Sequence, residues 1–80
     1  MIKFLNSINP EDMMEANYKK LWKLLIDGNL KKKDLVEHAG ISWASIAKMS
    51  KGDTVSMEVL MKACKYLNCD IGDVVEFENK

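Results

Sequence analysis

Residues 28–52 read GNLKKKDLVEHAGISWASIAKMSKG, and the rest of the chain is best understood outward from them. Leu35, Val36 and Ala39 share one side of a helix over about 32–39, and Gly40 stops it. A second helix starts at once: Ser42 is its N-cap, and Ile41 and Ile46 stand where a hydrophobic staple would place them. Ile46 and Met49 continue its buried side and Gly52 closes it. Two short helices joined by so tight a glycine turn must cross steeply, which leaves the second raised, with one face buried and the other free. The anomaly is the run Lys31, Lys32 and Lys33. A helix N-terminus is the positive end of the backbone dipole, so each cation there costs roughly a few tenths of a kcal/mol. Something has to tolerate them.

Upstream, Asn9 as N-cap, Pro10 at the first helical position and Glu11 and Asp12 in the first turn mark a helix start. Met14, Tyr18, Leu21 and Leu25 then form one apolar stripe ending at Gly28, a left-handed cap. The first helix is expected over about 10–27. A break near Asn17 is the alternative, because Asn is a poor interior helix former and able to cap a second start. Downstream, Ser56 caps a helix whose inner face is Leu60, Ala63, Cys64 and Leu67. A fifth helix is expected from Asp70, burying Ile71, Val74 and Val75, with Phe77–Lys80 as a frayed tail. No run of alternating Val, Ile and Thr marks a strand, so the expectation is an all-α fold.

Eighty residues with 48% apolar content, one Pro and four Gly suit one small domain without a deep catalytic cleft. No segment approaches the roughly 18 apolar residues that cross a membrane. The opening MIKFLNSINPEDMM lacks the pattern of a signal peptide, so a cytoplasmic protein is expected. Cys64 and Cys69 stand five apart with one solitary His38, which builds neither a zinc site nor a CxxC redox pair. Two reduced thiols are expected, Cys64 as a small core residue. With no nucleophile placed beside His38 and no phosphate-cradling glycine loop, the sequence offers no catalytic residue, metal set, cofactor or small-molecule ligand, and an enzyme is not expected.

Net charge is zero, but it is unevenly spread. Residues 17–51 hold eight lysines against Asp27, Asp34 and Glu37, a net of +5, whereas residues 1–16 carry −2 and residues 52–80 carry −3. An anionic partner should meet the middle of the chain.

The spacing of the two-helix unit resembles the helix-turn-helix of phage repressor and Cro-type (Xre-type) regulators. Within a motif over 32–51, Gly40 falls at the ninth position, Ile46 at the fifteenth and Met49 at the eighteenth. LWKLLIDG, LKKKDLVEHAGIS, the apolar fourth helix and CDIGDVVEF also look like the five-helix domain of small single-domain members. The resemblance implies a compact five-helix, lambda-repressor-like DNA-binding domain over 15–77, with 1–14 as an N-terminal extension and 78–80 as a tail. Two departures stand out. The fifth motif position, usually Ala, is Val36, which should push the helices slightly apart; the usual Thr or Ser cap and Gln before the second helix are Lys31 and Lys32. The second departure removes a familiar adenine-reading amide.

In this family the N-terminus of the second helix abuts the DNA backbone, where free N–H groups and the dipole favour a phosphate. The resemblance therefore makes Lys31, Lys32 and Lys33 phosphate clamps, with Lys33 the one most inclined to point elsewhere. It assigns the groove-facing side of the third helix to Ser42, Trp43, Ala44, Ala47, Lys48 and Lys51. The two alanines allow close approach and contact with a thymine methyl, Lys48 reads a base such as guanine, and Lys51 meets phosphate. Trp43 either covers a thymine methyl and sugar or folds back over the second helix; Ser45 touches DNA or only water. Without a single Arg, the planar guanine fork is lacking and readout should be modest. The function implied is a sequence-specific, repressor-like transcriptional regulator that binds double-stranded DNA as a homodimer. The alternative is a protein-interaction module of the same fold, with Trp43, Met13 and Met14 as its apolar patch.

Overall fold

The structure is a computed structural model that describes residues 14–79. Met14–Asn17 is a strand, β1, not the middle of a first helix. It pairs antiparallel with β2 (Glu76–Asn79), in the register Glu15 to Glu78, Ala16 to Phe77 and Asn17 to Glu76. The expected helix over 10–27 is thus corrected, and its start at Asn9–Asp12 lies outside the described residues. Asn17 supplies the physical reason. Its Oδ1 accepts a hydrogen bond from Lys19 N at 2.8 Å, a local turn that competes with helix and starts α1 (Lys19–Asp27) afresh. Burial changes period at the same point. Ala16 and Tyr18 point inward two apart, as in a strand, and Leu21 and Leu25 follow four apart, as on a helix.

The first helix ends differently from the expectation as well. Gly28 keeps a negative φ of −89°, and the left-handed residue is Asn29 at φ 59°, after which Leu30 N reaches back to Leu25 O at 2.7 Å. Asn tolerates this conformation because its short amide bonds locally.

Then come α2 (Lys32–Glu37), α3 (Trp43–Ser50) and α4 (Met57–Leu67). The starts of α3 and α4 follow the expected chemistry. Ser42 Oγ accepts from Ser45 N at 3.1 Å and Ser56 Oγ accepts from Val59 N at 3.2 Å, each satisfying one of the free donors of a first turn. Gly40 at φ 78° and Gly52 at φ 81° take the left-handed turns after α2 and α3, a region that L side chains enter only with strain.

No fifth α-helix forms among the described residues. Ile71–Asp73 is a single 3₁₀ turn, and Glu76–Asn79 is the strand β2 and not a frayed tail. Asp70 and Asp73 close that turn on itself: Asp70 Oδ1 accepts from Ile71 N at 2.8 Å and Asp73 Oδ2 accepts from Asp70 N at 3.1 Å. Gly72 inside it is a poor helix former, and β1 offers the following residues a ladder. Val74 is fully buried and Val75 partly so, but Ile71 stays 38% exposed, contrary to the expected burial. The described fold is therefore four α-helices and a two-stranded antiparallel sheet.

One core joins these elements. Leu21 and Leu25 from α1, Leu35 from α2, Ile41 from the turn, Ile46 and Met49 from α3, Leu60 and Ala63 from α4 and Val74 pack as one cluster. Each large member contributes about 1.5–3 kcal/mol by leaving water. Val36, Ala39, Cys64 and Leu67 pack against its edge.

Candidate nucleic-acid interface

α3 stands on the core by its inner side alone. Ile46 and Met49 are buried, whereas Trp43, Ala44, Ala47, Lys48 and Lys51 are exposed, so the apolar period of the helix leaves an open outer face. Trp43 is 57% exposed and is not folded into the core. Ser42 is exposed at the N-cap, where its hydroxyl donates to Ser45 Oγ at 3.2 Å while accepting from Ser45 N. Ser45, half-buried, is tied into the cap and not displayed on the outer face.

The lysine run begins at the N-cap of α2, with Lys31 at the cap and Lys32 and Lys33 in the first turn, all exposed. Two features tolerate it. Asp34 Oδ2 accepts from Lys31 N at 2.8 Å, which places an anion at the positive end of the helix and offsets the cations. Lys32 leans away from the helix end. Its Nζ lies 4.4 Å over the Trp22 ring and donates to Ser50 Oγ at 3.0 Å. The indole face attracts the ammonium, and the pair bridges α1, α2 and the end of α3. Trp22 and Ser50 are partners of the lysine run that the sequence pattern did not single out. The only signal was a Trp at the rim of the α1 stripe, next to Leu21.

The turn between the helices is held from outside as well. Lys62 Nζ on α4 donates to Gly40 O at 3.3 Å, and Ile41 N returns to Leu35 O at 3.1 Å. α2, the AGIS turn and α3 thus form one supported unit. Lys31, Lys32 and Lys33 open its first helix, and Trp43, Ala44, Ala47, Lys48 and Lys51 lie along the outside of its second.

Residues 20–80 match the family profile of the Cro/C1-type helix-turn-helix DNA-binding domain. The chain belongs to that family. Among solved structures, a crystal structure of the transcriptional regulator VanUg, Form II, is similar to it, with 44% identity over 91% of this chain and 97% of that one and a TM-score of 0.81. No curated protein matches the chain significantly. In this Cro/C1-type domain, α2, the turn at Gly40 and α3 all lie within the matched residues. The family is one of DNA-binding domains and not an enzyme class.

Elsewhere in the Cro/C1-type domain, His38 is better connected than expected. Its ring stacks on Tyr66 with centroids 6.2 Å apart, and its Nε2 lies 3.9 Å from Asp34 Oδ1. Asp34, Glu37 and His38 bring their ligand atoms within 4.8 Å of one another. Asp34 is already engaged at the helix cap and the other two are exposed, so the group reads as a solvated helix face. Among the described residues no helix is long and apolar enough to cross a membrane.

Proposed function

We propose that the chain is a sequence-specific, repressor-like transcriptional regulator that acts in the cytoplasm and binds double-stranded DNA as a homodimer. The observation that carries this reading is the open outer face of α3, seated on a buried inner face and flanked by a lysine-rich α2 N-terminus. α3 enters the major groove. Trp43 and the small Ala44 and Ala47 meet thymine methyls, Lys48 donates to a base, and Lys51 reaches phosphate. Lys31, Lys32 and Lys33 clamp the backbone, with Ser42 and Ser45 fixing the first turn of α3 against it.

One helix of eight residues spans few base pairs, which is the reason for a homodimer with half-sites about one helical turn apart. The unit responsible is the domain that runs from β1 to β2, residues 14–79.

The test is selection of bound fragments from random duplex DNA, followed by sedimentation of the complex. An enriched two-fold symmetric site carrying two chains is the expected result. If no duplex is enriched at low salt, the DNA reading fails, and a partner-protein module with the exposed Trp43 as its anchor takes its place.

A further inference from the structure

Cys64 and Cys69 are the two cysteines of the chain, and the C-terminal turn of α4 brings them together. Asn68 adopts a left-handed conformation (φ 55°, ψ 53°), and Cys69 N donates back to Cys64 O at 3.0 Å. This is the six-to-one bond of the Schellman motif, whose two flanking side chains commonly meet as an apolar contact. Here both are cysteines, and both side chains pack against the core at this helix end. A backbone bond between the same two residues keeps their Cα atoms at the short separation that a disulfide demands. Both thiols are free and half-buried. Cys64 also borders a groove of about 290 Å³ lined by Met57, Leu60, Met61, Ile71 and Asp70.

We propose that Cys64 and Cys69 form an oxidation site that closes to an intramolecular disulfide, with hydrogen peroxide as the oxidant. The Cys64 thiolate attacks one peroxide oxygen and the O–O bond breaks. The departing hydroxide takes a proton and leaves as water, and Cys64 becomes a sulfenic acid. The Cys69 sulfur then attacks the Cys64 sulfur. The S–S bond forms, the S–O bond breaks, and the second hydroxide leaves as water with the Cys69 proton. Two thiols and one peroxide give one disulfide and two waters, and the two electrons lost by sulfur reduce the O–O bond. The bond spans one already formed turn, so α4 and the 3₁₀ turn keep their places. Burial, followed by the carboxylates of Asp70 and Asp73, holds the Cys64 thiol above its usual range. The first step is therefore slow at neutral pH, and the site answers to sustained exposure and not to a brief pulse.

The test treats the reduced full chain with hydrogen peroxide, alkylates the remaining thiols in denaturant and measures the mass. The expected product is a single chain lighter by two hydrogens, with neither cysteine alkylated and both thiols restored by dithiothreitol. Oxygen added to Met57 or Met61 is a separate, heavier product. In Cys69→Ser the reaction should stop at Cys64, which a sulfenic-acid-trapping diketone then labels. Alkylation of both cysteines under conditions that have oxidised Met57 and Met61 overturns the proposal. So does a disulfide found only between chains.

Discussion

Lys32 Nζ lies 4.4 Å above the centre of the Trp22 ring and 3.0 Å from Ser50 Oγ, so one ammonium links α1, α2 and the end of α3. The arrangement changes what removing that charge does. From the helix dipole alone, Lys32→Ala should stabilise the free protein slightly. The contact with Trp22 at an exposed site is worth about 0.5–1 kcal/mol, which outweighs the dipole relief. Lys32→Ala is therefore expected to lower stability by about 0.5 kcal/mol in chemical denaturation. In Trp22→Leu, the same lysine substitution should instead be neutral or slightly stabilising.

On DNA the lysines of α2 and α3 should differ in kind. Lys31→Ala and Lys32→Ala are expected to weaken binding to all duplexes alike and to reduce the salt slope by about one unit for each phosphate left without its cation. Lys48→Ala should weaken the selected site by about 1–3 kcal/mol while affecting random DNA less. Titrations of both duplexes at several salt concentrations separate the two behaviours. An unchanged slope for both α2 variants would reduce the lysine run to a solvated face.

Tyr18 makes the fold sensitive to alkali. Its hydroxyl, in a nearly buried residue, donates to the Asp53 carbonyl at 2.9 Å. Burial, and next the negative charge of Asp53, pushes its pKa above the ordinary value of 10.0. The folded chain then holds the phenol proton more tightly than the unfolded chain. This contribution is fully present below pH about 10 and is lost as pH rises through the folded value. Tyr18→Phe should cost about 1 kcal/mol at neutral pH through removal of the hydrogen bond. The variant should also show a shallower fall of melting temperature above pH 10 than the parent chain, as followed by circular dichroism.

Gly52 couples the end of α3 to β1. Its φ is 81°, and a Cβ there would stand 3.3 Å from the Ala16 carbonyl oxygen. Gly52→Ala is expected to cost about 1–2 kcal/mol for the left-handed backbone, with an added penalty if Ala16 must shift. Gly40→Ala meets nothing within 4 Å and should show the backbone cost alone. Thermal melts of the two variants, compared side by side, measure the difference.

Much of this protein was legible in the residues themselves wherever the causes are local. Ser42 and Ser56 announce helix starts because their hydroxyls bond the first free N–H groups, and Gly40 and Gly52 announce stops because they accept positive φ. The spacing of Leu35, Ile41, Ile46 and Met49 marked the core side of α2, the turn and α3, and with it the open face of α3. What the local pattern could not supply were partners distant in sequence. Met14–Asn17 and Glu76–Asn79 are too short to read as strands, and each becomes one only because the fold brings the other beside it to complete the backbone hydrogen bonds. Lys32 shows the same limit in a side chain, since its rest position is set by Trp22 on one helix and Ser50 on another. Cys64 and Cys69, unpromising at five residues apart, meet because a left-handed Asn68 folds the chain back on the last turn of α4. Periodicity and capping act within a turn or two of the chain and are written in the sequence, whereas ladder pairing and side-chain bridges depend on neighbours that only the packed core brings together.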